Sequence, residues 1–125
     1  MDSGAKAMIL KDCGKKLTIP DTPFFLIVIS ASKRFSTAKF KKLIKCKNMR
    51  FANTEEVFEY SGCITGAVPP FGSLFTKAVP TWVDQSLAAN EQINFNCGLR
   101  THSLQILYSD YARVEGVSVV HDLCE

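Results

Sequence analysis

The sequence predicts an α+β domain with a mixed β-sheet and flanking helices, and three observations carry that expectation. Phe24-Phe25-Leu26-Ile27-Val28-Ile29 is an unbroken apolar run of strand length, aromatic and β-branched, with Pro23 marking its start. Such a run reads as a buried strand. Thr37 to Lys45 instead places Phe40, Leu43 and Ile44 at helical spacing with lysines between them. That spacing gives an amphipathic helix with those three residues on its inner face. Finally, some neighbouring strands are joined as hairpins and others across a helix, a mixture that favours α+β over regular alternation.

The remaining elements follow in chain order. Ala5 to Leu10 reads as a strand closed by the polar turn Asp12-Cys13-Gly14-Lys15. Beyond the basic helix, Met49 to Phe51 is a short strand. Asn53, with Glu56 three residues later, makes a capping box for a helix over Thr54 to Tyr60, and Gly62 ends it. Thr81-Trp82-Val83 is a strand, with Trp82 in the core and its indole N–H expected to meet a carbonyl. Asp84 then caps a helical turn from Gln85 to Ala89. Ile93 to Asn96 and Leu104 to Leu107 pair around Gly98, Ser109 caps a helix through Arg113, and Val117 to Val120 forms a last strand.

Composition bounds the function without naming it. A chain of 125 residues, 46% apolar and 22% charged, suits one domain with a real core. No apolar run reaches the roughly 20 residues that a bilayer requires, and Met1-Asp2-Ser3-Gly4 does not open a secretory signal. Five cysteines, odd in number and without C-x-x-C spacing, suggest reduced thiols in a cytoplasmic protein over a disulfide frame or a zinc site. No H-E-x-x-H and no Cys/His cluster is present, so neither metal nor cofactor is expected. The histidines, His102 and His121, carry no motif that makes either a catalytic base.

The net charge of +3 conceals an asymmetry. From Lys33 to Arg50 there are eight of the fifteen basic residues, Lys33, Arg34, Lys39, Lys41, Lys42, Lys45, Lys47 and Arg50, and no acidic one. Like charges on one helical face repel, and a polyanion would relieve that repulsion while releasing counterions. A solvated helix is the plainer reading.

Gly66-Ala67-Val68-Pro69-Pro70-Phe71-Gly72 sets a Pro-Pro pair between two glycines. The prolines stiffen the loop and the glycines admit close approach, so its exposed amides can hold a carbonyl or an oxyanion already oriented. A tight helix-to-strand connection would look the same locally. Other motifs separate the two readings. Lys6 early in a hydrophobic strand, then Gly66, Pro70 and Gly72 as G-x-x-x-P-x-G, then Val79-Pro80-Thr81-Trp82-Val83-Asp84, then Asn96-Cys97-Gly98-Leu99-Arg100-Thr101-His102-Ser103 come in a telling order. Their order resembles the YbaK/prolyl-tRNA-synthetase-associated editing domain, over roughly residues 4 to 115.

The resemblance implies a strongly curved mixed sheet and an aminoacyl-tRNA deacylase that acts in trans. Its substrate would be the ester of a small wrong amino acid on tRNA, tRNA for proline foremost. Lys6, Gly66, Pro70 and Gly72 would form the catalytic set, with Ala67, Val68, Phe71, Asn96, Gly98 and Ser103 lining the pocket. Lys33, Arg34, Lys41, Lys42, Lys45 and Arg100 would contact tRNA. The member that gives the family its name carries a serine where Asn96 stands and an aspartate where Ser103 stands, which bears on substrate choice. An aminoacyl-tRNA synthetase is a further candidate partner; DNA and membranes are not implied. Residues 1–125 would be a single editing domain, and because Lys6 lies so near the start, the usual N-terminal segment is expected to be missing. The alternative of the same fold is a non-catalytic tRNA-binding or synthetase-docking module. A small-molecule hydrolase using Cys97 as nucleophile is a remoter one.

Overall fold

Every residue of the central strand is buried, and this organises the molecule. The computed structural model describes residues 4–13, 23–63, 68–75, 77–96, 103–117 and 120–125. Strand β1 (Ala5–Asp12) pairs antiparallel with β2 (Phe24–Ser30), so that Lys6 faces Ile29 and Leu10 faces Phe25 in register. Helix α1 (Thr37–Ile44) leads to β3 (Met49–Phe51), which pairs antiparallel with the far end of β1. Helix α2 (Thr54–Ser61) and the Gly/Pro loop then lead to β4 (Thr81–Val83), parallel to β2. The sheet order is β3-β1-β2-β4 and its pairing is mixed, as expected.

The short helix α3 (Gln85–Ala88) precedes the antiparallel hairpin of β5 (Gln92–Asn96) and β6 (Ser103–Leu107). Helix α4 (Tyr108–Glu115) follows directly. A parallel bridge between Gly4 and Asn94 ties the hairpin to the start of β1.

Side chains alternate across a strand, so β2 supplies two cores. Phe24, Leu26 and Val28 pack with Val57, Val68, Phe75, Val79 and Tyr111 on one face. Phe25, Ile27 and Ile29 pack with Leu10, Phe40, Ile44 and Leu123 on the other, beneath α1. The same alternation puts Ala5, Ala7 and Ile9 of β1 on the first face, and Lys6, Met8 and Leu10 on the second.

Local chemistry explains the ends of the elements, with three corrections. Leu43 is 42% exposed, so the inner face of α1 consists of Phe40 and Ile44 only. Ser109 does not cap α4: the helix already begins at Tyr108 after Leu107, which offers no side-chain cap. Val117 and Val120 are not in a strand, while the two residues between them lie outside the described residues. The indole N–H of Trp82 is buried without a partner among the described residues, although its ring packs edge-on against Phe40. Asp84 does cap α3, accepting from the Ser86 amide at 2.9 Å and from the Leu123 amide at 2.7 Å. Burial pushes its carboxyl up, but hydrogen bonding by the Ser86 side chain, then by the Leu123 and Ser86 amides, outweighs burial and holds it below the ordinary range. The four described cysteines are free thiols, and Cys97 lies outside the described residues. Among the described residues, no helix is long and apolar enough to cross a membrane.

The capping box of α2 forms as expected, and Glu56 does more than cap. It accepts the Asn53 amide at 2.9 Å and both Arg50 guanidinium nitrogens at 2.7 and 2.9 Å, with the Lys11 amine 3.6 Å away. Chiefly the Arg50 hydrogen bond, against an opposing effect of burial and aided by Asn53, lowers its carboxyl from 4.5 to about 2. A carboxyl held lower in the folded state stabilises fully above its unfolded value and loses that contribution as pH falls through the folded one. Glu56→Gln is therefore expected to cost about 1 kcal/mol at neutral pH, a solvent-screened magnitude. It should also flatten the fall in stability between pH 4.5 and about 2, read from urea midpoints across that window. Parallel curves for variant and parent would refute it.

Candidate active site

The C-terminal helix holds the Pro-Pro loop in place. Gly62 ends α2 in the left-handed region at φ 74°, where glycine carries no steric penalty. Residues 64–67, and so Gly66 and Ala67, lie outside the described residues. From Val68 onward the path is clear. Val68 and Pro70 are buried, and Gly72 to Leu74 form a single 3-10 turn. The Tyr111 hydroxyl donates to the Pro70 carbonyl at 2.6 Å, a buried bond. Phe71 sits edge-on to Phe95 and Tyr111, with centroids 5.4 and 5.2 Å away. Glu115, one turn beyond Tyr111, accepts the Ser73 amide at 3.3 Å, the Ser73 hydroxyl, and the Thr81 hydroxyl at 3.0 Å. Burial first, then the Glu115 charge, pushes the Tyr111 hydroxyl well above the ordinary phenol range, so it stays a donor.

Gly72 has a packing reason. A Cβ built there would lie 2.6 Å from the Thr81 hydroxyl and 2.7 Å from the Val79 carbonyl, and the second of these is backbone. The Gly72 carbonyl accepts the Val79 amide at 3.1 Å, so loop and incoming strand are bonded as well as close.

Beside the loop, pairing along one edge of β1 is interrupted. The Ala52 amide reaches the Ile9 carbonyl, and the next contact on that side is the Gly4–Asn94 bridge. A cavity of 290 Å³ opens there, walled by Ala7, Ile9, Ala52, Val57 and Val68, with Met8 and Phe51 at its margin. None of these residues titrates. Among the described residues, no three His, Cys, Asp or Glu side chains cluster as metal ligands. What the cavity offers is apolar shape beside main-chain polar groups.

Lys6 stands across the strand from this cavity. It is exposed and lines a second depression, of 430 Å³, with Ser32, Lys33, Arg34 and Phe35. The two depressions share Met8 and Phe51 and so abut at the edge of β1.

The aminoacyl-tRNA editing domain family matches residues 1–114. The chain belongs to this family. It is a hydrolase of the aminoacyl-tRNA deacylase class, and the resemblance seen in its motifs is borne out. Over 122 residues, 97% of the chain, it is 26% identical to the multifunctional Ser/Thr-tRNA deacylase ProXp-y of Escherichia coli K12, spanning 70% of that protein. The fold matches that of a candidate trans-editing enzyme for prolyl tRNA synthetase with a TM-score of 0.83, at 23% identity, covering 99% of this chain and 71% of that one. A hypothetical protein, APE2540, matches with a TM-score of 0.79 at 24% identity, over 99% of this chain and 75% of its own.

Within this editing domain the expected residues fall into three groups. Val68, Pro70, Phe71 and Gly72 come together in the loop against α4. Lys6, Lys33 and Arg34 come together in the second depression. Lys41, Lys42 and Lys45 lie on α1 and its C-terminal cap, without ion pairs among the described residues. Lys39 is tied to Asp122 at 3.0 Å and to the Cys124 carbonyl at 2.7 Å, and Arg50 is tied to Glu56. Asn96 and Ser103 are main-chain partners at the end of the hairpin next to its connecting loop, and their side chains lie outside the described residues, as do Gly98 and Arg100. His121 packs on Trp82, away from the loop, and His102 also lies outside the described residues. Sequence reasoning missed Tyr111 and Glu115. The available signal was their i,i+4 spacing, which puts a hydroxyl and a carboxylate on one face of α4.

Proposed function

We propose that this editing domain removes small wrong amino acids, serine, threonine, alanine or cysteine, from tRNA, with tRNA for proline as the principal carrier. The observation that carries the reading is the small apolar cavity walled by Val68 of the loop and by β1, with no titratable lining residue. Such a cavity has room for a short side chain and offers no charged group to meet a charged one. It separates acyl groups that differ by one methylene or hydroxyl only weakly, by about 1–3 kcal/mol. A deacylase named for both serine and threonine among its relatives fits that tolerance.

The chemistry needs little from side chains. The substrate is an activated ester, so positioned water and a stabilised oxyanion suffice. Water adds to the ester carbonyl, the ribose oxygen leaves with a proton, and free amino acid and tRNA result. In this reading the loop amides from Gly66 onward receive the carbonyl oxygen, Lys6 holds the phosphate of the terminal nucleotide, and the free ribose hydroxyl helps activate water.

The test is release of labelled amino acid from seryl-, threonyl-, alanyl- and cysteinyl-tRNA, with phenylalanyl-tRNA as the bulky control. Release from at least one small ester and none from the bulky one is expected. No release above the uncatalysed rate from any of them would refute the reading. Salt-dependent tRNA binding in that outcome would leave the non-catalytic module.

A further inference from the structure

Phe51 is 54% exposed on an edge strand, where burying it would be favourable. Its ring stands edge-on to Phe35, with centroids 6.3 Å apart and planes at 73°. Both rings line the depression that also holds Lys6, Lys33 and Arg34, and none of the residues lining it is acidic. Lys6 and Lys33 have no ion pair among the described residues, and Arg34 reaches only Glu125, at 3.9 Å and with 84% of the Arg34 side chain exposed. Aromatic faces beside exposed cations suit a strand of unpaired nucleotides, whose bases stack while its phosphates meet the charges. Duplex recognition would not need the rings.

We infer that the depression bounded by Phe35, Phe51, Lys6, Lys33 and Arg34 is the docking groove for the single-stranded 3′ end of tRNA, with Phe51 as the stacking platform for a base. The inference rests on the deacylase reading for the identity of the RNA. Position supports it: the groove abuts the apolar cavity through Met8 and Phe51. An RNA end lying in the groove therefore delivers its terminal acyl group over the edge of β1 into the cavity, and the strand edge divides nucleotide from amino acid.

The experiment uses an uncharged single-stranded RNA oligonucleotide ending in CCA, which carries no ester, and reads binding by fluorescence anisotropy at several salt concentrations. Phe51→Ala is expected to weaken binding by about tenfold or more with an unchanged salt slope, and Phe51→Trp to keep it. Lys33→Ala and Arg34→Ala should each reduce the salt slope by about 0.7, the value for one phosphate contact on a single strand. Thermal midpoints check that the variants fold, and so does a duplex lacking the single-stranded end, whose binding Phe51→Ala should leave alone. Equal affinity of Phe51→Ala and parent for the CCA oligonucleotide overturns the inference. So does hydrolysis of charged tRNA by Phe51→Ala with unaltered KM, which leaves the deacylase reading standing. Aromatic-dependent binding of the oligonucleotide without hydrolysis of any ester would sustain the groove and overturn the deacylase reading.

Discussion

Lys6→Ala is expected to lower deacylation by roughly a hundredfold, the scale of misplacing a bound substrate relative to its reacting groups, without unfolding the protein. The side chain is exposed and belongs to neither core, so the stability effect should stay within about 0.5 kcal/mol. Its place makes the prediction sharper. Register with Ile29 and strand alternation put Lys6 on the α1 side of the sheet, whereas Val68 and Phe71 pack on the other. On the proposed reading Lys6 then serves the nucleotide and not the carbonyl, and the loss should appear in KM as well as in kcat. Lys6→Arg, which keeps the charge, should recover part of it. Single-turnover hydrolysis across substrate concentrations, beside a thermal midpoint, checks both points. Unchanged turnover would remove the amine from the reaction.

Tyr111→Ala should cost about 3–5 kcal/mol, the range for emptying a fully buried aromatic site. Two contributions are combined there, and Tyr111→Phe separates them. Phenylalanine keeps the ring contact with Phe71 and removes only the hydroxyl that donates to Pro70. A buried carbonyl left without its donor costs about 1–3 kcal/mol. The hydroxyl fixes the loop at its second proline, so Tyr111→Phe should lower kcat while tRNA affinity is kept. Urea unfolding gives the first quantity, and hydrolysis beside equilibrium binding gives the second. A stable Tyr111→Phe with parental kcat would show that the loop keeps its position without α4.

What could be read from the chain was what neighbours along it decide. The Asn53–Glu56 capping box, the Asp84 cap and the buried run from Phe24 follow from contacts within a few residues or from composition alone. The bond from Tyr111 to Pro70 spans 41 positions, and nothing in either residue announces the other. Leu43 has the spacing of an inner residue, yet α1 is short and the sheet beneath it is covered by Phe40 and Ile44. The side on which Lys6 emerges was hidden for a related reason. Alternation fixes which β1 residues share a face, but only the path from α2 through the loop to β4 decides which face the loop covers. Of the expected pocket, the half carried by Val68 to Gly72 can be placed, whereas Gly66 and Gly98 lie outside the described residues.

Phe24 to Ile29, six of the residues of β2, serve as a party wall, alternately belonging to the rooms on either side. Opening one room should therefore disturb the other, because Leu26 shares its backbone with Phe25 and Ile27. Melting should then be a single event, in which the floor beneath the basic helix and the packing behind the Pro-Pro bend vanish together. A lesion under α1 would thus reach the side that carries the Pro-Pro bend without touching it.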